Sequence, residues 1–140
     1  MSGFLLDTNC ISEAVRVRPD PRVAQWFDST DEQLLYLSVL TLGEIRKGIA
    51  GILQGKRRAA LEAWLGDLKL RFAGRILPVD EAVAERWGWL DARLQQKGRP
   101  VAIVDGLLAA TALHYDLTTV TRNVSHFADT GLPVLNPWLA

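Results

Sequence analysis

The chain is poor in the residues that several common chemistries need. It has one cysteine, Cys10, so no disulfide can close within it, which fits a reducing compartment. Its two histidines, His114 and His126, stand apart, and a lone histidine is usually a surface or packing residue, so no His/Cys cluster of zinc spacing exists. It has no net charge: 16 basic residues cancel 16 acidic ones. Bulk charge therefore does not draw it to a polyanion, and any nucleic-acid contact must come from a local patch. No apolar run approaches a membrane span, and no basic segment followed by an apolar one precedes the first strand. The expectation is a cytoplasmic protein with no membrane contact. There is no G-x-S-x-G element, which argues against acyl transfer. Gly51 and Gly55-Lys56 have the wrong spacing for a phosphate loop, with Arg57 where Ser or Thr is required.

What remains is an ordinary folding composition, 49% hydrophobic and 23% charged, long enough for one domain spanning residues 1–140. Phe4-Leu5-Leu6 is a short apolar run that ends in Asp7, and a helix begins a few residues later. Arg22 to Ser29 reads as a second helix, and Leu34 to Ser38 as a buried strand. Apolar positions at helical spacing predict helices over Thr41 to Leu53, Arg57 to Phe72, Asp80 to Lys97 and Val101 to Tyr115. Arg75 to Val79 predicts a strand stopped by Pro78, Leu117 to Val120 a fourth strand, and Val134-Leu135 a fifth. Strands alternating with helices imply parallel pairing through right-handed crossovers. The predicted fold class is α/β, a three-layer α/β/α sandwich with a short, mostly parallel sheet.

Acidic residues fall at telling places in that scheme. Asp7 follows strand one, where ligands of open parallel sheets bind, although Asp or Thr8 reads equally well as a helix cap. Glu44 lies in the first turns of a helix whose buried face is already supplied by Leu42, Ile45 and Ile49. Thr41 and Glu44 also fit capping-box spacing. Asp105 interrupts an apolar stretch, either as a site carboxylate or as an N-cap. Thr121-Arg122-Asn123 follows strand four, at the same sheet edge as Asp7, and reads otherwise as a turn. Hard oxygen donors without clustered His or Cys point to Mg²⁺ or Mn²⁺ rather than zinc. Arg46, Lys47, Lys56, Arg57 and Arg58 form the most basic local stretch, either an RNA-backbone patch or a solvated helix face. Trp87 fits the inward stripe of its helix, and Trp89 falls off it, as an interface residue or a loop cover.

Leu5-Leu6-Asp7-Thr8-Asn9 with Ile11-Ser12-Glu13, then Leu42-Gly43-Glu44-Ile45-Arg46-Lys47-Gly48, then Val104-Asp105-Gly106-Leu107-Leu108-Ala109-Ala110-Thr111-Ala112, then Thr121-Arg122-Asn123, resemble the PIN-domain nucleases. More closely, with the closing Asn136-Pro137-Trp138, they are similar to the VapC-type toxins of type II toxin–antitoxin pairs in their FitB-like branch. The resemblance covers the chain in order. It implies a Mg²⁺-dependent endoribonuclease, with Mn²⁺ as a substitute, that is usually a homodimer and is held inactive by a small antitoxin with a basic C-terminal segment. The metal-site acids fall on Asp7, Glu44 and Asp105, and a fourth, variably acidic position falls on Asn123. Thr8, Asn9, Thr121 and Arg122 are expected to bind substrate or fix the carboxylates. Many relatives carry an acid where this chain has His126, so a second ion would need substrate phosphate to complete its shell. An inactive scaffold that only binds RNA or a partner, and a DNA-directed nuclease, are the rival readings.

Overall fold

The computed structural model describes residues 3–139. Strand β1 (Phe4–Leu6) leads through helices α1 (Thr8–Ala14) and α2 (Pro21–Ser29) to β2 (Leu35–Ser38). Helices α3 (Val39–Ala50) and α4 (Lys56–Arg71) carry the chain to β3 (Ile76–Leu77), and α5 (Glu81–Gln96) and α6 (Ile103–His114) to β4 (Thr118–Val120). A 3₁₀ turn, Val124–Phe127, precedes β5 (Val134–Leu135). The five strands lie in the order β3-β2-β1-β4-β5 and every pairing is parallel. The sheet expected to be mostly parallel is wholly so.

Side chains alternate across β1 as a pleated strand requires. Leu6 joins Ile11, Val23, Ile49, Leu65 and Phe72 in the core layer beneath α1 to α4. Leu5 joins Leu90, Leu94, Leu108 and Phe127 beneath α5 and α6. Both leucines are fully buried, worth about 1.5–3 kcal/mol each. Helices on both faces of one sheet make the three-layer α/β/α sandwich expected from the sequence.

Two element starts decide how the acids are read. Helix α3 begins at Val39, not Thr41, because the Ser38 side chain accepts from the Leu40 N–H at 3.0 Å and caps it. Thr41 is then a buried residue of the first turn, and the capping box with Glu44 is not formed. Helix α6 is flanked by Ala102, with no side-chain cap, so Asp105 lies inside the first turn and is not its N-cap. Asp80 does cap α5, accepting from the Val83 N–H at 3.0 Å.

Arg75, just before β3, is almost wholly buried. Its Nη1 donates to the carbonyls of Glu32 and Leu35, its Nη2 to that of Arg71, all at 2.7 Å, and its guanidinium stacks on Phe72. It ties the end of α4 to the entry of β2.

The strand order reverses at β1, whose neighbours β2 and β4 leave it in opposite directions along the sheet. Such a switch point opens a crevice at the carboxyl ends of the strands, where open α/β sheets bind ligands. The Asp7 N–H donates to the Val120 carbonyl at 2.9 Å, which holds the ends of β1 and β4 abreast.

Candidate active site

Asp7 and Thr121 emerge side by side at that crevice. Asp7 is buried, and it caps α1 after all: its Oδ1 accepts from the Thr8 N–H at 2.8 Å. The capping and site readings are therefore not rivals, because the second oxygen is turned elsewhere. Asp7 Oδ2 accepts from the Thr121 hydroxyl at 2.7 Å, across 114 residues of chain, and more distantly from the Asn9 amide at 3.4 Å. Asn9 also reaches Thr121 Oγ1, and its Oδ1 accepts from the Arg122 N–H, both at 3.4 Å. Beneath them Cys10 is fully buried, with its Sγ against the Val120 carbonyl. Burial first, and then the Asp7 charge, push its thiol far above the ordinary value, so it is no nucleophile.

Glu44 enters from α3. Its Oε1 accepts from the Thr8 hydroxyl at 2.6 Å, so Thr8 spans from the strand end to this acid. Asp105 enters from α6 on the other side. Burial raises its pKa most; His126 pulls it down, and the Asp7 charge pushes it up again. That last influence means the Asp7 charge is felt at Asp105. Asn123 is exposed, and its backbone N–H donates to Thr121 Oγ1 at 3.0 Å.

The structure corrects the reading of His126. Far from standing apart, its Nδ1 lies 3.1 Å from Asp105 Oδ2. His114, by contrast, packs edge-on against Tyr115. The contact with Asp105 spans 21 residues and passes through a 3₁₀ turn, so neither helical nor strand periodicity encodes it.

The basic stretch is only partly assembled. Arg46 and Arg58 both pair with Glu62, whose single negative charge offsets only one of the two. Arg57 instead lines a groove of about 1060 Å³ between α1, α3 and α4, floored by Ile45, Ile49 and Trp64 and reaching Thr8 and Glu44. Arg16 and Arg18 line the same groove, and Lys47 and Lys56 do not. Arg122 stacks its guanidinium over the Trp138 ring, 5.3 Å from its centre.

Among the described residues, no three His, Cys, Asp or Glu side chains stand close enough to hold a metal ion by themselves. The Asp7 charge is felt at Asp105, while Glu44 is reached through Thr8. Such a donor set fits a divalent ion that keeps several waters and takes phosphate oxygens from its substrate, the habit of Mg²⁺. It does not fit an all-protein cage.

The sheet order, the crevice and its acids define a class. The model of the PIN domain matches residues 4–131. The chain belongs to the PIN-domain family, in its branch of FitB- and VapC-type proteins. It is 42% identical over 136 residues to Toxin FitB of Neisseria gonorrhoeae, an alignment covering 96% of this chain and 98% of that protein. It is 38% identical over 136 residues to the VapC ribonuclease Y4jK of Sinorhizobium fredii, covering 96% and 97%. The crystal structure of FitAcB from Neisseria gonorrhoeae superposes with a TM-score of 0.94 at 40% identity, over 98% of this chain and 99% of that one.

Proposed function

We propose that the chain is the toxin of a type II toxin–antitoxin pair and acts as a Mg²⁺-dependent endoribonuclease. The observation that carries this is the set of carboxylates at the switch point: Asp7 held by Thr121, Asp105 within reach of its charge, and Glu44 tied to the strand end by Thr8. The names of the two relatives, a toxin and a VapC ribonuclease, support it.

Asp7 and Asp105 hold the divalent ion. Bound there, the ion supplies a lowered pKa for water and positive charge for the scissile phosphate. Thr121 fixes Asp7 by donating to its Oδ2, so the carboxylate meets its ligand without reorganising. Glu44 has one oxygen engaged by Thr8 and the other available, which suits it to orient the attacking water and take its proton. Asn123 and the Arg122 guanidinium, stacked at the crevice rim, bind phosphate oxygens. Arg57, in the groove wall, contributes to the RNA backbone patch.

The purified chain is expected to cut RNA with Mg²⁺ or Mn²⁺, to leave single-stranded DNA intact, and to stop with EDTA. Glu44→Gln should lower the rate by about 10²-fold or more. Cleavage that continues undiminished in EDTA at matched ionic strength would sink the metal mechanism.

The partner we propose is a small antitoxin whose amphipathic segment fills the groove. Apolar side chains line its floor and Glu44 closes one end, a fit for a segment ending in Arg or Lys. A second copy of the chain is the other expected partner. Trp89, 78% exposed on α5, is the side chain best placed to anchor it.

A further inference from the structure

We propose that His126 joins Asp105 in binding the divalent ion of the proposed site, water and substrate oxygens completing its shell, and that its imidazole biases the site away from Mg²⁺ toward transition-metal divalents. This rests on the proposed metal-dependent reading and adds a residue and a selectivity to it.

The first argument is distance. Two neighbouring donors on one ion, with bonds of about 2.1 Å at right angles, stand about 3 Å apart. His126 Nδ1 and Asp105 Oδ2 are 3.1 Å apart. The pair already has the spacing of adjacent ligands.

The second argument is rigidity. His126 sits on the 3₁₀ turn Val124–Phe127, whose own bonds hold it. The His126 N–H donates to the Asn123 carbonyl at 3.1 Å, and the Asn123 N–H to Thr121 Oγ1 at 3.0 Å. Next along, Phe127 is buried in the core, and its carbonyl accepts from the Thr130 hydroxyl at 2.6 Å. Thr121 is the residue that also holds Asp7. The imidazole and both carboxylates thus belong to one hydrogen-bonded frame.

The third argument is access. The His126 side chain is 50% exposed and that of Asp105 25%, so this edge of the crevice is open to an ion that brings its own waters. The chemistry then sets the selectivity. Carboxylate and water oxygens suit Mg²⁺, whereas imidazole nitrogen favours the later first-row ions, with affinity rising from Mn²⁺ to Co²⁺. One nitrogen among oxygens tilts the balance without excluding Mg²⁺.

The test uses the purified full chain loaded with Mn²⁺, read by electron spin-echo envelope modulation, and titration calorimetry with Mg²⁺, Mn²⁺ and Co²⁺. The parent should show ¹⁴N modulation from a directly bound imidazole. His126→Gln should lose it, and His114→Gln should keep it. In His126→Asp, which restores an all-oxygen shell, the ratio of Mg²⁺ to Co²⁺ dissociation constants should fall about tenfold. His126 is half-exposed, and thermal melts confirm that each variant is folded. If Mn²⁺ binds the parent, needs Asp105, and gives no ¹⁴N modulation, His126 only orients Asp105: this inference falls and the metal reading stands. If the signal survives in His126→Gln, or the ratio does not move in His126→Asp, the inference falls too. If no divalent ion binds at all, both fall together.

Discussion

Asp105 is only partly withdrawn from water, and the Asp7 charge reaches it. Its folded pKa is raised, so the native state takes up its proton more readily than the unfolded chain does. The stabilising share of that linkage is whole below the unfolded value, near about 4, and is lost as pH climbs through the folded one. At neutral pH the carboxylate therefore costs stability. Asp105→Asn should melt higher than the parent in EDTA by about 1–3 °C, a small rise because solvent screens the open side. The gap should close as pH falls below about 4. Added Mg²⁺ or Mn²⁺ should raise the parent's melting point and do much less for the variant. A drop in the apo melting point with the metal response intact would remove Asp105 from the site. Beside it, Gly106 has a different constraint: a Cβ there would lie 2.9 Å from Trp87 Nε1. Gly106→Ala should lower stability by about 1 kcal/mol or more, since crowding outweighs the helix propensity gained. Gly66→Ala, with open space around it in α4, should raise stability by up to about 1 kcal/mol. Equal melting shifts for the two would refute the crowding argument. Asp105 was legible in the sequence because a charge broke an apolar stretch. Trp87 was legible only as an inward residue, and its seat on Gly106 joins two helices whose crossing no single-chain pattern records.

Most elements were legible from their periodicity, and the misses are at their ends. Helix α3 was expected from Thr41 because Thr and Glu three apart resemble a box. Ser38 won because it ends β2 in extended geometry and its hydroxyl meets the Leu40 N–H. Strand β3 was expected over five residues and pairs over two, since Pro78 ends the ladder at once. Arg75 read as an ordinary strand-edge residue, yet it satisfies three carbonyls from inside the protein. Arg75→Met would take the guanidinium from three carbonyls, of which that of Glu32 keeps the Leu35 N–H, at a cost of about 2 kcal/mol or more and a fall in Tm of about 5 °C or more. Its neighbour Arg71 pairs with Glu32 at the surface. Arg71→Ala should cost less than about 1 kcal/mol. Melting curves of the two variants separate a buried tie from a surface pair, and a larger loss at Arg71 would reverse the assignment.

For the molecule as a whole, the sequence picked out Asp7, Glu44 and Asp105 as candidate site acids and the sheet edge at which Asp7 lies, but not how far apart they stand. Thr8 and Thr121, which the sequence already marked as residues to fix carboxylates, hold Glu44 and Asp7 through contacts that no local pattern encodes. The groove that ends at Glu44 gives a prediction at this scale. If the proposed toxin reading holds, co-expression of a small protein encoded beside this chain should restore growth, and replacing the basic residues at that protein's C-terminus should abolish protection. Equal protection by that variant would exclude a plug that reaches the carboxylates. The bond from Thr121 to Asp7 joins residues 114 apart, and β1 gains its partner β4 only through Phe4–Thr118, Leu5–Thr119 and Leu6–Val120. A ribosome delivers chains from the N-terminus at about 5–20 residues per second, and long-range parallel pairing is slow to form. Asp7 therefore leaves the exit tunnel seconds before the strand and hydroxyl that hold it in place. Until the stretch from Thr118 to Thr121 arrives, near the end of the chain, the crevice is not assembled and the carboxylates gathered there cannot act together.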